Sequence, residues 1–246
     1  KRPDIHLIPY GTTATGEFKI TLGGVKNDCQ EFDVALFGKM YLSVPGVHEV
    51  LDGTAAVALV CQLLRDAGKN PLDYKDKIIQ GLKFFTGGKR RSEIIGKTTS
   101  DAGNSVIVID DYAHHPTAIK TTLEGYRQFY KNRKIIVDFM SHTYSRTQSL
   151  LKEFASSFAS ADVVILHKIY ASARENIADF NVTGKTLFEE TKNYSDNVHY
   201  FEEILDAKDF VQQELNKPLS PEYPDGYLFV TMGAGDNWKL GKAILA

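Results

Sequence analysis

The sequence predicts an α/β protein whose C-terminal two-thirds folds around a mainly parallel sheet, preceded by a smaller unit with strands and helices of its own. Three observations carry that reading. Five short runs rich in β-branched residues (105–110, 134–139, 162–167, 197–201 and 227–232) begin 29, 28, 35 and 30 residues apart, about the length of one strand, one crossover helix and two loops. Amphipathic stretches over 116–130, 146–160, 184–193, 202–216 and 236–245 fill the gaps between them. Finally, the 246 residues are 43% hydrophobic and 24% charged, ordinary globular proportions that leave room for two domains.

The earlier elements follow in order. Phe18, Ile20 and Leu22 alternate with polar residues, a second alternation covers 32–37, and Gly23, Gly24, Asn27 and Asp28 stand between them, which predicts a hairpin. Residues 47–68 are apolar on nearly every face and stop at Gly68, as a buried helix would. Asn70 then caps a second helix with Pro71 in its first turn and Leu72, Ile78, Ile79, Leu82 and Phe85 at helical spacing. The Gly87-Gly88 pair ends it and sets a boundary between domains 1–86 and 87–246.

Composition excludes several classes of protein. With 29 Lys and Arg against 31 Asp and Glu, the net charge of −2 argues against a nucleic-acid partner held by bulk charge. Cys29 and Cys61 form neither a secreted disulfide framework nor a C-x-x-C pair, so a reducing, cytoplasmic compartment is expected. The longest apolar stretch, 55–64, is far shorter than the ~20 residues of a membrane span, and the charged start at 1–4 leads into no signal segment. No membrane partner is expected. The first methionine is Met40, so residue 1 reads as a cut inside a longer polypeptide.

Ligands of an open parallel sheet bind beyond the carboxyl ends of its strands, and the segments found there are rich in chemistry. The first strand runs into Asp110-Asp111-Tyr112-Ala113-His114-His115-Pro116, the second into Ser141-His142-Thr143-Tyr144-Ser145-Arg146-Thr147, and the third into Tyr170-Ala171-Ser172-Ala173-Arg174-Glu175. The last ends at Gly233-Ala234-Gly235-Asp236. Asp110 and Asp111 offer oxygens for Mg2+ or for orienting a water; otherwise Asp110 caps the next helix and Asp111 is solvated. His114 and His115 are adjacent and have no further ligands at zinc spacing, so one is expected to donate to a substrate while the other caps or packs. His142, Arg146 and Arg174 suit anion recognition, because a guanidinium grips carboxylate or phosphate with two prongs; a surface salt bridge is the alternative.

Other motifs fail. Trp238 stands where a dinucleotide fingerprint needs its third glycine. Gly96-Lys97-Thr98 and Gly184-Lys185-Thr186 look like the ends of phosphate-cradling loops, but Arg91 and Asp179 occupy the positions of the first glycine. No G-x-S-x-G elbow surrounds Ser145.

In content and order these loops resemble those of the Mur ligases of bacterial cell-wall synthesis, most closely the member that joins L-alanine to the lactyl carboxylate of UDP-N-acetylmuramic acid. Residues 110–117 are the most specific motif, 142–147 distinguish that member, 85–91 look like the family's hinge, and 232–236 like its final strand-to-helix turn. The resemblance implies a Rossmann-like C-terminal domain at 87–246, preceded by the late part of a central ATPase domain at 1–86. It implies amide formation through an acyl phosphate, with ATP and Mg2+ as cofactors and most metal ligands lying upstream, so that the piece alone would not turn over ATP. By position, Arg91 would contact the ATP ribose or phosphates, and Asp111 would support the nucleotide and metal. Tyr112, His114, His142, Arg146 and Arg174 would meet the muramoyl and alanine groups. His48 opens the helix that serves the adenine, but Glu49 and Asp52 replace the family's two amides there, and an ionised carboxylate cannot donate as an amide does. Two alternatives stay open: the recycling ligase that attaches a whole peptide to the same sugar, and a non-catalytic module that holds an anionic ligand on its sheet.

Overall fold

All five expected strands of the parallel sheet form, and a sixth joins them at an edge. The computed structural model describes residues 7–26 and 28–246, which places Asn27 of the expected turn and the charged start at 1–4 outside the described residues. The chain divides into two compact units, one ending at Gly87 and the other running Gly88–Ala246.

In the first unit, strands β1 (Tyr10–Gly11), β2 (Phe18–Lys26), β3 (Cys29–Val34) and β4 (Gly38–Leu42) form one sheet in that order. β2 and β3 are the expected antiparallel pair, with Ile20 opposite Val34 and Leu22 opposite Phe32, and the register slips between Leu22 and Val25, where the two glycines lie. Helix α1 (Val47–Asp66) follows, then a 3-10 turn (Pro71–Tyr74) and helix α2 (Lys75–Lys83). The Asn70 side chain accepts from the Leu72 N–H and so caps the 3-10 turn, which feeds directly into α2.

Helix α1 is buried on one face rather than nearly all round. Val50, Val57, Ala58 and Cys61 pack against Phe18, Ile20, Phe32, Val34 and Met40, while Leu59 and Leu63 are about 60% exposed. At 20 residues and a mean hydropathy of 1.4, α1 is long and apolar enough to span a membrane by length and composition; its buried face is committed to the sheet.

The second unit is a six-stranded sheet in the order β5-β6-β10-β7-β8-β9. Its strands are β5 (Glu93–Thr99), β6 (Ser105–Asp111), β7 (Lys134–Met140), β8 (Val163–Leu166), β9 (Val198–Tyr200) and β10 (Tyr227–Gly233). β5 is antiparallel to β6 and every other pairing is parallel. The helices are α3 (Pro116–Phe129), α4 (Tyr144–Ser149), α5 (Leu151–Ser156), α6 (Gly184–Thr191), α7 (Lys208–Leu215) and α8 (Trp238–Leu245).

Both faces of this sheet are covered at its centre, which explains why β6, β7, β8 and β10 read as unbroken apolar runs. Ile107 and Ile109 of β6 point into one cluster with Ile119, Leu123 and Tyr126 of α3 and Phe154 of α5. Val106 and Val108 point into the opposite cluster with Val211 and Leu215 of α7 and Leu240 of α8. Residues 119, 123 and 126 sit on one stripe of α3 and are completely buried, each worth about 1.5–3 kcal/mol in removed apolar surface.

Three expectations need correction. The helix expected over 146–160 starts two residues earlier and breaks at Leu150, whose φ of −121° and ψ of 30° are not helical. The helix expected over 202–216 begins as a 3-10 turn at Ile204–Ala207. The helix expected from 236 starts at Trp238, just after Asn237, whose side chain donates buried bonds to the Asp138 and Met232 carbonyls.

Candidate active site

Because β6, β7, β8 and β10 run parallel, their carboxyl ends share one rim, and the four loops singled out in the sequence all leave from it. Order in the sheet then decides which loops are neighbours. β10 lies between β6 and β7, so the Gly233 turn separates the Tyr112 loop from the His142 loop. Gly233 has φ 130°, and a Cβ placed there would lie 2.5 Å from the Met140 carbonyl oxygen, so the position requires glycine.

The acid pair is structural at this rim, neither a helix cap nor a solvated group. Asp110 Oδ2 accepts from Arg90 Nε at 2.8 Å and Oδ1 accepts from the Thr231 hydroxyl at 2.9 Å. Asp111 accepts from the Ser92 and Ala113 N–H groups at 2.7 and 2.8 Å, and from the Tyr126 hydroxyl at 3.3 Å. Burial pushes the Asp111 carboxyl up, against those hydrogen bonds and the nearby Arg91 charge. Buried to 3% and 5% exposure and held on both oxygens by protein donors, the two carboxylates present no open face to Mg2+. Among the described residues no group of three His, Cys, Asp or Glu side chains could hold a metal ion.

The histidine pair divides its labour. The His115 ring caps α3, accepting from the Thr117 N–H at 3.3 Å. His114 Nδ1 lies 2.9 Å from the Tyr112 carbonyl, which can only accept, so Nδ1 carries the hydrogen and Nε2 keeps its lone pair when the ring is neutral. Its ring meets Tyr112 edge-on at 5.0 Å.

His142 forms a parallel bridge with Tyr170 and packs on its ring at 5.8 Å. Burial lowers its pKa, and the charges of Arg146 and His114 lower it further. Arg146 sits in α4 with Nη1 buried and without a hydrogen-bond partner. An orphaned guanidinium nitrogen is costly unless something anionic meets it.

The remaining residues are more dispersed. Arg174 and Arg91 are exposed, the first in the loop between β8 and α6 and the second just before β5. His48 belongs to the first unit, near the start of α1 and 3.7 Å from the Glu49 carboxylate. A groove at the amino ends of the strands, beside Arg127, Asp162 and Tyr223, is internally satisfied, since Arg127 and Tyr223 both donate to Asp162.

Sequence reasoning passed over several contributors. Arg90 bonds Asp110 and the Gly233 carbonyl, and lies over the Tyr112 ring at 5.1 Å, tying three parts of the rim together. Beneath the rim, His167 Nε2 meets Asp138 at 2.6 Å and its Nδ1 meets the Phe201 carbonyl at 3.0 Å, both side chains being fully buried. Two acceptors facing two ring nitrogens favour the protonated ring, and the Asp138 charge raises its pKa against the effect of burial. Glu175 reaches α4 from the loop after β8. Nothing in residue spacing announces any of these, although Arg90 and Glu175 each adjoin an arginine that the sequence did single out.

The described pattern of the Mur ligase glutamate ligase domain matches residues 90–235, more than half of the chain. The chain belongs to the Mur ligase family. Within that family it is 44% identical over 245 residues to the UDP-N-acetylmuramate–L-alanine ligase of Treponema pallidum, covering 99% of this chain and 48% of that protein. It is 36% identical over 239 residues to the ligase of the same name from Borreliella burgdorferi, covering 97% and 48%. The chain thus spans about half the length of the curated relatives it matches. Among solved structures, the UDP-N-acetylmuramate–alanine ligase of Thermotoga maritima superposes with a TM-score of 0.66 at 23% identity, over 92% of this chain and 45% of that one. A folylpolyglutamate synthase of Mycobacterium tuberculosis does so with a TM-score of 0.60 at 18% identity, over 91% and 47%. These two likenesses show that the Mur ligase fold is shared.

Proposed function

We propose that this chain serves as the C-terminal half of an ATP-dependent ligase that joins L-alanine to the lactyl carboxylate of UDP-N-acetylmuramic acid in the cytoplasm. On this reading the first unit is the late part of the ATP-binding domain, the second is the Rossmann-like C-terminal domain, and the half alone does not turn over ATP. The observation that carries the proposal is the buried, unpaired Arg146 Nη1 in a segment that leaves the same rim as the His114 loop.

In the reaction a carboxylate takes the terminal phosphoryl group of ATP and releases ADP; the alanine amine then attacks the acyl phosphate, and phosphate leaves. An anionic acyl phosphate and its tetrahedral successor need fixed cations and donors more than a covalent nucleophile. Arg146 would supply the fixed cation. His142, kept neutral near pH 7 by its lowered pKa, would donate one N–H without repelling Arg146. The free lone pair of His114 Nε2 would take a proton from the attacking amine. Tyr112 would fix the His114 ring through its carbonyl, and Arg174 would meet the substrate's negative charge from the loop after β8. Arg91, His48 and Asp111 would serve the nucleotide, the last by holding the Ser92 and Ala113 turns rather than by touching it. Mg2+ supplies charge neutralisation on the phosphates when bound, held by groups other than the acid pair.

A chimera tests this. The matching half of the Treponema pallidum ligase is replaced by this chain, and ADP release is measured with ATP, UDP-N-acetylmuramate and L-alanine. Release that depends on alanine supports the proposal. Release without any alanine dependence, or release only with a peptide in place of alanine, overturns it.

A further inference from the structure

Helix α4 carries Arg146, yet it has six residues and no cap of its own. Such a short helix does not hold itself together in water. The residue in the capping position, Thr143, makes no side-chain cap bond and is twisted to φ 71°, a left-handed conformation that costs a non-glycine residue about 1–3 kcal/mol.

What satisfies the first turn comes from about thirty residues downstream. Glu175 Oε2 accepts from the Tyr144 N–H at 3.0 Å, while Oε1 accepts from the Ser145 N–H at 3.0 Å and from the Ser145 hydroxyl at 2.6 Å. The rest of that loop is laced to the same element. The Tyr170 N–H donates to the Ser141 carbonyl, and the Thr143 N–H donates back to Tyr170. Phe180 stacks on Tyr144 at 6.0 Å, and the Asn181 N–H donates to the Gln148 side chain.

We propose that Glu175 is a positioning residue of the anion-recognition element: its carboxylate caps α4 from outside, holds the strained Thr143 turn in place, and thereby aims Arg146 and His142 at the rim. This rests on the reading of residues 142–147 as the element that meets the anionic substrate. Charge is part of the device, since a carboxylate accepts hydrogen bonds about twice as strong as a neutral acceptor does. Although burial alone would raise it, the bonds from Ser145, Tyr144 and Ser172 keep the Glu175 carboxyl below the usual range, so it stays ionised at neutral pH. Its charge also reaches His142, where it opposes the lowering by burial, Arg146 and His114.

The test uses this chain, isotope-labelled, as wild type and as Glu175→Gln. Glutamine keeps the length but sets an NH2 group against one of the two backbone donors. Amide hydrogen exchange at Tyr144 and Ser145 is expected to quicken at least tenfold, and the His142 titration midpoint to move down, while exchange in β6 and β7 is unchanged. Inorganic phosphate, followed at the Arg146 and His142 signals, is expected to bind at least fivefold more weakly. Ser145→Ala, which removes only the hydroxyl donor, is expected to shift exchange in the same direction by a smaller factor, and it decides the matter if Glu175→Gln fails to fold. Unchanged exchange together with an unmoved His142 midpoint overturns the proposal. If phosphate leaves Arg146 of the wild type untouched while exchange and titration respond as expected, the positioning role stands and the anion-recognition reading fails.

Discussion

Replacing Arg90 by alanine isolates the least obvious tie in the rim. The change removes the 2.8 Å bond from Nε to Asp110, the 2.8 Å bond from Nη2 to the Gly233 carbonyl, and the stacking over Tyr112. Asp110 is left as a carboxylate with 5% of its side chain exposed and Thr231 as its one remaining hydrogen-bond donor. Stranding one partner of a buried ion pair costs about 3–5 kcal/mol. The Arg90 side chain is itself 22% exposed, so water can enter where it stood, and the expected loss falls to about 2–4 kcal/mol. Urea unfolding followed by fluorescence measures this cleanly, because Trp238 is the single tryptophan and lies in the second unit. Adding Asp110→Asn removes the stranded charge and is expected to recover about half of the loss, giving a coupling above about 1 kcal/mol. A loss under about 1 kcal/mol for Arg90→Ala, or strict additivity of the two changes, refutes the clamp.

Other consequences follow from the same contacts. In the chimeric ligase, Arg146→Ala is expected to slow turnover at least tenfold, about 1.4 kcal/mol, with little change in Tm, since its buried Nη1 has no bond to lose; near-native turnover refutes the role. Gly233→Ala, forced into φ 130° with its Cβ 2.5 Å from the Met140 oxygen, is expected to cost about 2–3 kcal/mol in urea unfolding, and a neutral result contradicts the packing of the β10 turn. For His167, burial opposes protonation, but the Asp138 charge and hydrogen bond and the Phe201 carbonyl outweigh it and raise the pKa. The stabilisation is therefore complete below the unfolded value of about 6.5 and is lost as pH rises through the folded one. His142 and His199 are lowered instead, so their effect lies below about 6.5 and leaves the window above it to His167. Stability of the wild type is expected to fall as pH rises above about 6.5, and His167→Gln to flatten that fall; identical profiles refute a protonated His167 in the fold.

Much of the second unit was legible in one dimension. Strands at 105, 134, 162, 197 and 227 announce themselves because a sheet covered on both faces demands unbroken apolar runs, as Val106 to Ile109 show. β5 escaped because it is an edge strand with little burial, and its Gly96-Lys97-Thr98 looked like a loop. The break at Leu150 escaped because helical periodicity continues across it.

The candidate site divides in the same way. Residue type and the carboxyl-end rule pointed to His114, His142 and Arg146, since both depend on local pattern, and the family resemblance added Tyr112. Whether those side chains are free to act depends on partners far away in the chain. Asp111 looked available in the sequence and is engaged by Ser92 and Tyr126; Glu175, with no role assigned in the sequence, caps a helix about thirty residues earlier.

Taken alone, the amino-acid order determined the α/β class, the five parallel strands and the residues that line one end of them, because burial periodicity and loop chemistry are written within some thirty residues. The tertiary structure decided that β10 inserts between β6 and β7, that Arg90 clamps Asp110, that His167 pairs with Asp138 in the interior and that α4 borrows its cap. Those outcomes turn on hydrogen bonds and ion pairs between residues as much as 143 positions apart. Their worth depends on burial, which exists only once the sheet has closed over them.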